Sequence, residues 1–102
     1  EIVQSLVGSE MCIRDSYSGG YYFYRTSKSA LNSAAKSLSI DWKADGISVL
    51  MLHPGWVRTD MGGSNAKLDI DTSVRKMLDV INSLDMSKTG TFLNYEGKKL
   101  EW

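Results

Sequence analysis

The sequence predicts an α/β fold, half of a domain built on a parallel sheet. Three observations carry that prediction. A helical repeat runs from just after Gly20 to about Asp45, an almost continuous apolar run covers Ile47 to His53, and a second helical repeat precedes the short apolar stretch "TFLN". Helix, buried strand, helix and strand in alternation favour parallel pairing, because each helix carries the chain back across the sheet to restart in the same direction.

Each element has a local reason. Gly19-Gly20 breaks the chain, and the first helix is expected from there to about Asp45. Tyr24, Lys28, Leu31, Ala35, Leu38 and Trp42 recur at steps of three and four, the spacing of one helix face. Ala30, Ser33, Ala34 and Ser37 form a second face of small residues, close enough to the axis to admit another helix. Gly46 follows Asp45 where a helix end calls for a left-handed residue. "ISVLMLH" reads as a strand covered on both faces, stopped by Pro54-Gly55. Trp56 to Leu68 lacks periodicity and reads as a loop. Asp71 is the expected N-cap of a second helix, with Val74, Met77, Leu78, Ile81 and Leu84 along its inward face. A turn at Lys88 to Gly90, the strand "TFLN" and a tail "YEGKKLEW" complete the chain, which contains no repeats.

Composition narrows the function classes. The 102 residues carry 12 Lys and Arg against 12 Asp and Glu, so no bulk positive field draws the chain to nucleic acid or to a membrane surface. No apolar run approaches the roughly 20 residues that cross a bilayer, and no basic-then-apolar secretion leader is expected. A single cysteine, Cys12, makes no internal disulfide and fits a reducing, cytoplasmic compartment. His53 stands alone, with no second His to share a metal, and is expected to pack at a strand end.

Residues 1 to 15 have a different character. "LVGSEMCIRD" is the translation of CTC GTG GGC TCG GAG ATG TGT ATA AGA GAC, a string that resembles the transposase adapter used in shotgun sequencing libraries. The bases that follow that adapter permit Ser at residue 16, and Glu1 to Ser5 fit its upstream index frame. Residues 1 to 15 are therefore expected to be non-native and residues 16 to 102 to be a piece of a longer protein, consistent with a chain that begins at Glu1.

The chemistry-bearing stretch is "YRTSK". Tyr24 and Lys28, four residues apart on a helix, lie on one side one turn apart. A free phenol titrates near 10 and is a poor acid or base at neutral pH. A fixed cation beside a phenol favours phenolate and brings it toward the range where it can exchange protons with a carbonyl or alcohol. Alone, the pair is a spacing that chance supplies readily, and an ordinary helix-face pair is the alternative.

The context of that pair is more specific. "YYFYRTSKSALN", followed about thirty residues on by "ISVLMLHPGWVRTDM", resembles the short-chain dehydrogenase/reductase family over essentially all of Ser16 to Trp102. "HPGWVRTDMGG" and the short tail ending in Trp102 are similar in particular to the C-factor and sniffer-like carbonyl reductases. The resemblance implies the C-terminal half of a Rossmann-like doubly wound sheet and an NAD- or NADP-dependent oxidoreductase that interconverts a carbonyl and an alcohol. It implies Tyr24 as general acid and base, and Lys28 as the group that tunes it and hydrogen-bonds the nicotinamide ribose. Pro54 and Gly55 would turn the backbone past the nicotinamide, Val57 and Thr59 would hold its carboxamide, and Met61 to Lys67 would form the substrate loop. It also implies a small-molecule carbonyl or alcohol substrate, no nucleic acid or membrane partner, and a parent of two or four identical copies.

The departures matter equally. The family's glycine-rich phosphate loop and the residue that selects NAD or NADP have no counterpart here. The family's catalytic Ser falls about thirteen residues before Tyr24, which is Met11 in this sequence. The chain as it stands is therefore expected to be inactive. Arg58 has two readings, a cofactor phosphate contact or a solvent-facing residue; Tyr21, Tyr22 and Phe23 could line a substrate cleft or pack in the core or against a partner copy. The other function reading is a nucleotide-binding signalling or sensor protein on the same fold. Re-amplifying the locus from unprocessed source DNA should replace residues 1 to 15 with a strand and a Ser about thirteen positions before Tyr24. Recovery of "LVGSEMCIRD" from that DNA would end the adapter reading.

Overall fold

A computed structural model of the chain describes residues 2–6, by their backbone alone, and residues 22–101. The elements run β1 (Ile2–Leu6), α1 (Tyr22–Asp41), β2 (Ser48–His53), α2 (Ile70–Asn82) and β3 (Thr91–Asn94), with single 3-10 turns at Lys43–Asp45 and Met86–Lys88. The three strands form one parallel sheet in the order β1-β2-β3, with Ile2 opposite Ser48, Leu6 opposite Leu52, and Leu50 opposite Thr91. β1 was not anticipated, because it lies inside the segment that the sequence set apart as foreign. Strand pairing is made by backbone N–H and C=O groups, so it does not depend on side-chain identity.

β2 is the centre of the sheet, and all six of its residues are buried. Its side chains alternate between two apolar layers. Val49 and Met51 pack with Phe92 and Ala35, under Leu38, Trp42 and Leu100. Leu50 and Leu52 pack with Leu93 and Val80, under Met77, Ile81 and Leu84. α1 therefore covers one face and α2 the other. The chain steps across the sheet in one direction, β1 to β2 to β3, while its two helices lie on opposite faces. The two crossovers must then have opposite hands, an uncommon arrangement because parallel crossovers are overwhelmingly right-handed.

The helices depart from the expected faces in detail. On α1 the buried residues are Asn32, Ala35 and Ser39, whereas Leu31 is exposed. α1 ends at Asp41, earlier than expected; the 3-10 turn then leads to Gly46, whose φ of 74° lets its N–H donate to the Lys43 carbonyl. The small-residue face of Ala30, Ser33, Ala34 and Ser37 is exposed. On α2 the inward residues are Ser73, Met77, Val80 and Ile81, with Leu84 just beyond its end packing on the same layer; Val74 and Leu78 are about half exposed, at 45% and 51%. The N-cap is Asp69 rather than Asp71. Asp69 has the extended backbone a cap needs, and its carboxylate accepts the Thr72 N–H at 2.7 Å.

Hydrogen bonds from the Thr72 hydroxyl and backbone N–H hold the Asp69 carboxyl below its ordinary 3.8. A carboxyl with a lowered folded-state pKa contributes stability that is complete above the unfolded value and is lost as the pH falls through the folded value. Asp69→Ala should therefore lower the thermal midpoint near neutral pH, with the gap to the parent closing below about pH 4. Asp69→Asn keeps the cap acceptor and should stay close to the parent at neutral pH. Thermal melts of the three proteins across pH check both expectations.

Candidate functional site

Because α1 links two parallel strands, it runs antiparallel to them, and its first turns lie at the carboxyl edge of the sheet. The loop leaving His53 lies at the same edge, where ligands of open α/β sheets bind. Both groups of sequence-derived site residues fall there. Tyr24 and Lys28 come from the first two turns of α1, and Pro54, Gly55, Val57 and Thr59 come from the loop after β2.

Tyr24 and Lys28 are both half-buried, and the Lys28 ammonium lies 5.7 Å from the Tyr24 ring centroid, over its face. The helix fixes this approach, since residues four apart stack along one side. The cation is thus held against the phenol ring, a favourable placement in its own right.

The loop is tied down largely by its own backbone. Val57 bridges Leu68 in parallel, with the Arg58 N–H donating to the Leu68 carbonyl at 2.8 Å. Successive N–H groups of an extended segment point to opposite sides, so the Val57 N–H and C=O face away from Leu68. Thr59 Oγ1 accepts the Gly62 N–H at 3.1 Å, and Trp56 Nε1 donates to the Gly62 carbonyl at 2.8 Å. Gly62 has no room for a side chain, because a Cβ there would fall 1.9 Å from the Val57 carbonyl oxygen. Arg58 is exposed, and its Nη1 donates to the Ala66 carbonyl at 3.2 Å, which ties the loop together. Arg58, Thr59, Asp60, Gly63, Ser64 and Ile70 line an open groove beside it.

The turn from β2 into this loop is held more tightly still. His53 is buried, and its Nδ1 accepts the Gly55 N–H at 2.9 Å. Among the described residues no cluster of metal-binding side chains occurs. The Ser73 hydroxyl, from α2, donates to the Pro54 carbonyl at 2.7 Å. Gly55 has a φ of +86°, and a Cβ there would meet the Tyr95 ring at 2.7 Å and the Leu68 side chain at 2.9 Å. Burial, with Glu96 adding to it, pushes the Tyr95 phenol above its ordinary 10.0, so this residue stays neutral where it buttresses the turn.

Ser73, Tyr95 and Leu68 were not legible as site residues. Ser73 looked like a polar residue inside a helical repeat, and Tyr95 belongs to what read as a tail. Asn32, one turn beyond Lys28 on α1, was missed as well; it is buried, and its Oδ1 accepts no hydrogen bond from the described residues. Tyr22 and Phe23 are highly exposed, at 77% and 94%, so neither is a core residue of this chain. Tyr21 and the position of the family's catalytic Ser lie outside the described residues.

These features define an α/β protein of the doubly wound, parallel-sheet class, with a Tyr–Lys pair and a Pro-Gly turn both at the carboxyl edge. The family model described as "Enoyl-(Acyl carrier protein) reductase" matches residues 4–91. C-signal of Myxococcus xanthus is 49% identical over 84 residues, which is 82% of this chain and 51% of that protein. The carbonyl reductase Sniffer of D. melanogaster superposes with a TM-score of 0.85 at 49% identity, over 99% of this chain and 40% of that one. An NADPH-bound carbonyl reductase from chicken fatty liver gives a TM-score of 0.87 at 37% identity, over 99% and 42%. The chain belongs to the short-chain dehydrogenase/reductase family and spans about half the length of the curated relatives it matches.

The Gly55 contacts make a sharp expectation. Gly55→Ala places a Cβ in a left-handed residue, a strain of roughly 1–2 kcal/mol, and drives it into Tyr95 and Leu68. The thermal midpoint should fall, and pairing the change with Tyr95→Ala should recover part of the loss, because the ring clash is removed while the φ strain remains. A double variant no better than Gly55→Ala would show that the ring is not what closes this space.

Proposed function

We propose that the full-length protein is an NAD- or NADP-dependent oxidoreductase that interconverts a small carbonyl compound and its alcohol, with Tyr24 as general acid and base. The observation that carries this reading is the Lys28 ammonium held over the Tyr24 ring at the carboxyl edge of the sheet. Family membership and resemblance to carbonyl reductases support it.

The residues fit a nicotinamide by their chemistry. Thr59 Oγ1 uses one lone pair to accept the Gly62 N–H, and its hydroxyl hydrogen remains for a carboxamide oxygen. The Val57 backbone groups, turned away from Leu68, suit the rest of the carboxamide. Lys28 would donate to the ribose, and Pro54-Gly55 would carry the backbone past the ring. When bound, the nicotinamide supplies the hydride in reduction and accepts it in oxidation. In reduction Tyr24 delivers its phenol proton to the carbonyl oxygen; Lys28 stabilises the phenolate left behind. In oxidation the phenolate takes the alcohol proton.

A second reading, a nucleotide-binding signalling protein on the same fold, is favoured by the 49% identity to a protein named for a signal. The proposal also holds that residues 1 to 15 are non-native and that residues 16 to 102 are the C-terminal part of the native domain. It further holds that the 102-residue chain alone is inactive, because the phosphate loop and catalytic Ser belong to the part outside it. Assembly in two or four copies and a cytoplasmic location rest on the resemblance and on composition.

In the full-length protein, Tyr24→Phe should lower kcat by about 10²–10⁴-fold, the usual worth of a positioned acid or base, with little change in cofactor affinity. Lys28→Ala should lower both turnover and cofactor affinity, because it removes the cation and a cofactor hydrogen bond together. Titration with NADH and NADPH, and steady-state rates on a simple aldehyde or diketone, check these outcomes. The 102-residue chain should bind neither nucleotide. Near-normal kcat in Tyr24→Phe would reject the mechanism in favour of the signalling reading.

A further inference from the structure

The Pro54 carbonyl and the Gly55 N–H are the two polar ends of one peptide group. Each end has its own dedicated side chain. Ser73 Oγ donates to the oxygen at 2.7 Å, and His53 Nδ1 accepts the N–H at 2.9 Å. Gripped at both ends, the peptide plane cannot rotate about the line joining its two Cα atoms. Rotation is the motion this dipeptide would otherwise make readily. The type I and type II turns that favour Pro at the second position differ by just such a rotation, and Gly accepts either sign of φ. The clamp selects the orientation with Gly55 at +86°. Both clamping side chains are buried, Ser73 at 1% exposure and His53 at 6%, so water is poorly placed to replace either.

His53 plays the part that an Asn side chain plays in an Asx-turn, accepting the N–H two residues on. Ser73 adds something a local turn cannot. It lies on α2, the helix that follows the loop, so it couples the peptide to the element that ends the loop.

We propose that Ser73 and His53 are positioning residues for the nicotinamide. They hold the Pro54–Gly55 peptide in the one orientation against which the ring packs, without touching the substrate. This rests on the oxidoreductase reading above, since that reading places the nicotinamide at the turn.

The test uses the full-length enzyme with Ser73→Ala, His53→Leu and His53→Asn. NADH and NADPH dissociation constants are measured by fluorescence, Gly55 amide exchange is followed without nucleotide, and thermal midpoints are recorded in parallel. Loss of one such hydrogen bond should weaken cofactor binding about five- to tenfold in Ser73→Ala and His53→Leu, with faster Gly55 exchange. kcat at saturating cofactor should change by less than about threefold, as expected when binding rather than transition-state stabilisation is lost. His53→Asn restores the acceptor and should return affinity and exchange to within about twofold of the parent. The clamp is overturned if Ser73→Ala binds cofactor like the parent, if His53→Asn is as weak as His53→Leu, or if midpoints fall while affinity does not. Parent enzyme that binds neither nucleotide would overturn the oxidoreductase reading and this inference with it; parent binding with unaffected variants would overturn the clamp alone.

Discussion

Burial of both faces of β2 is the constraint on which the rest of this structure depends. All six residues from Ser48 to His53 are buried, so alternate side chains need an apolar layer on each side. Ala35, Leu38 and Trp42 of α1 and the residue after it supply one, and Met77, Val80 and Ile81 of α2 supply the other. The helices must then lie on opposite faces, the two crossovers take opposite hands, and the chain between His53 and Ile70 has to pass over the carboxyl edge of the sheet. The loop that carries half of the site exists because the strand beneath it has no exposed face.

The two halves of the site are built by different physics. Tyr24 and Lys28 meet because helical spacing brings residues four apart onto one side, and the helix is anchored through Ala35 and Ser39 further along. The other half is mostly backbone. Gly55 and Gly62 are places where a Cβ would strike Tyr95, Leu68 or the Val57 carbonyl, so the chain runs closer to its neighbours there than any side chain would allow. Tyr95 reaches this turn from beyond β3, which links the last strand of the sheet to the carboxyl edge.

The rotation of α2 shows core and site being set together. A purely apolar reading points Val74 and Leu78 inward, yet both are half exposed and Ser73 is nearly fully buried. The Ser73 hydroxyl bonds the Pro54 carbonyl, and Asp69 starts the helix two residues before the expected cap. The bond to this part-buried carbonyl offsets the exposure of the two aliphatic side chains, because an unmet carbonyl costs about 1–3 kcal/mol and two half-exposed aliphatic groups together cost about as much.

By itself, the sequence determined the alternation of helix and strand, the doubly covered character of Ile47 to His53, the loop after Pro54-Gly55, and the Tyr24–Lys28 pair. These are local properties, written in periodicity, in turn chemistry and in spacings shorter than two helical turns. Only the tertiary structure decided which residues face inward: Asn32 rather than Leu31 on α1, and Ser73 and Val80 rather than Val74 and Leu78 on α2. It also decided that Ile2–Leu6 pairs with β2, and that His53, Ser73, Tyr95 and Leu68 converge on one turn. Those contacts join residues up to 46 positions apart, as Leu6 and Leu52 are in the β1–β2 register. A one-residue change in helix phase re-aims a side chain by about 100°, and phase is fixed by what lies across the interface rather than by the order of residues along the chain.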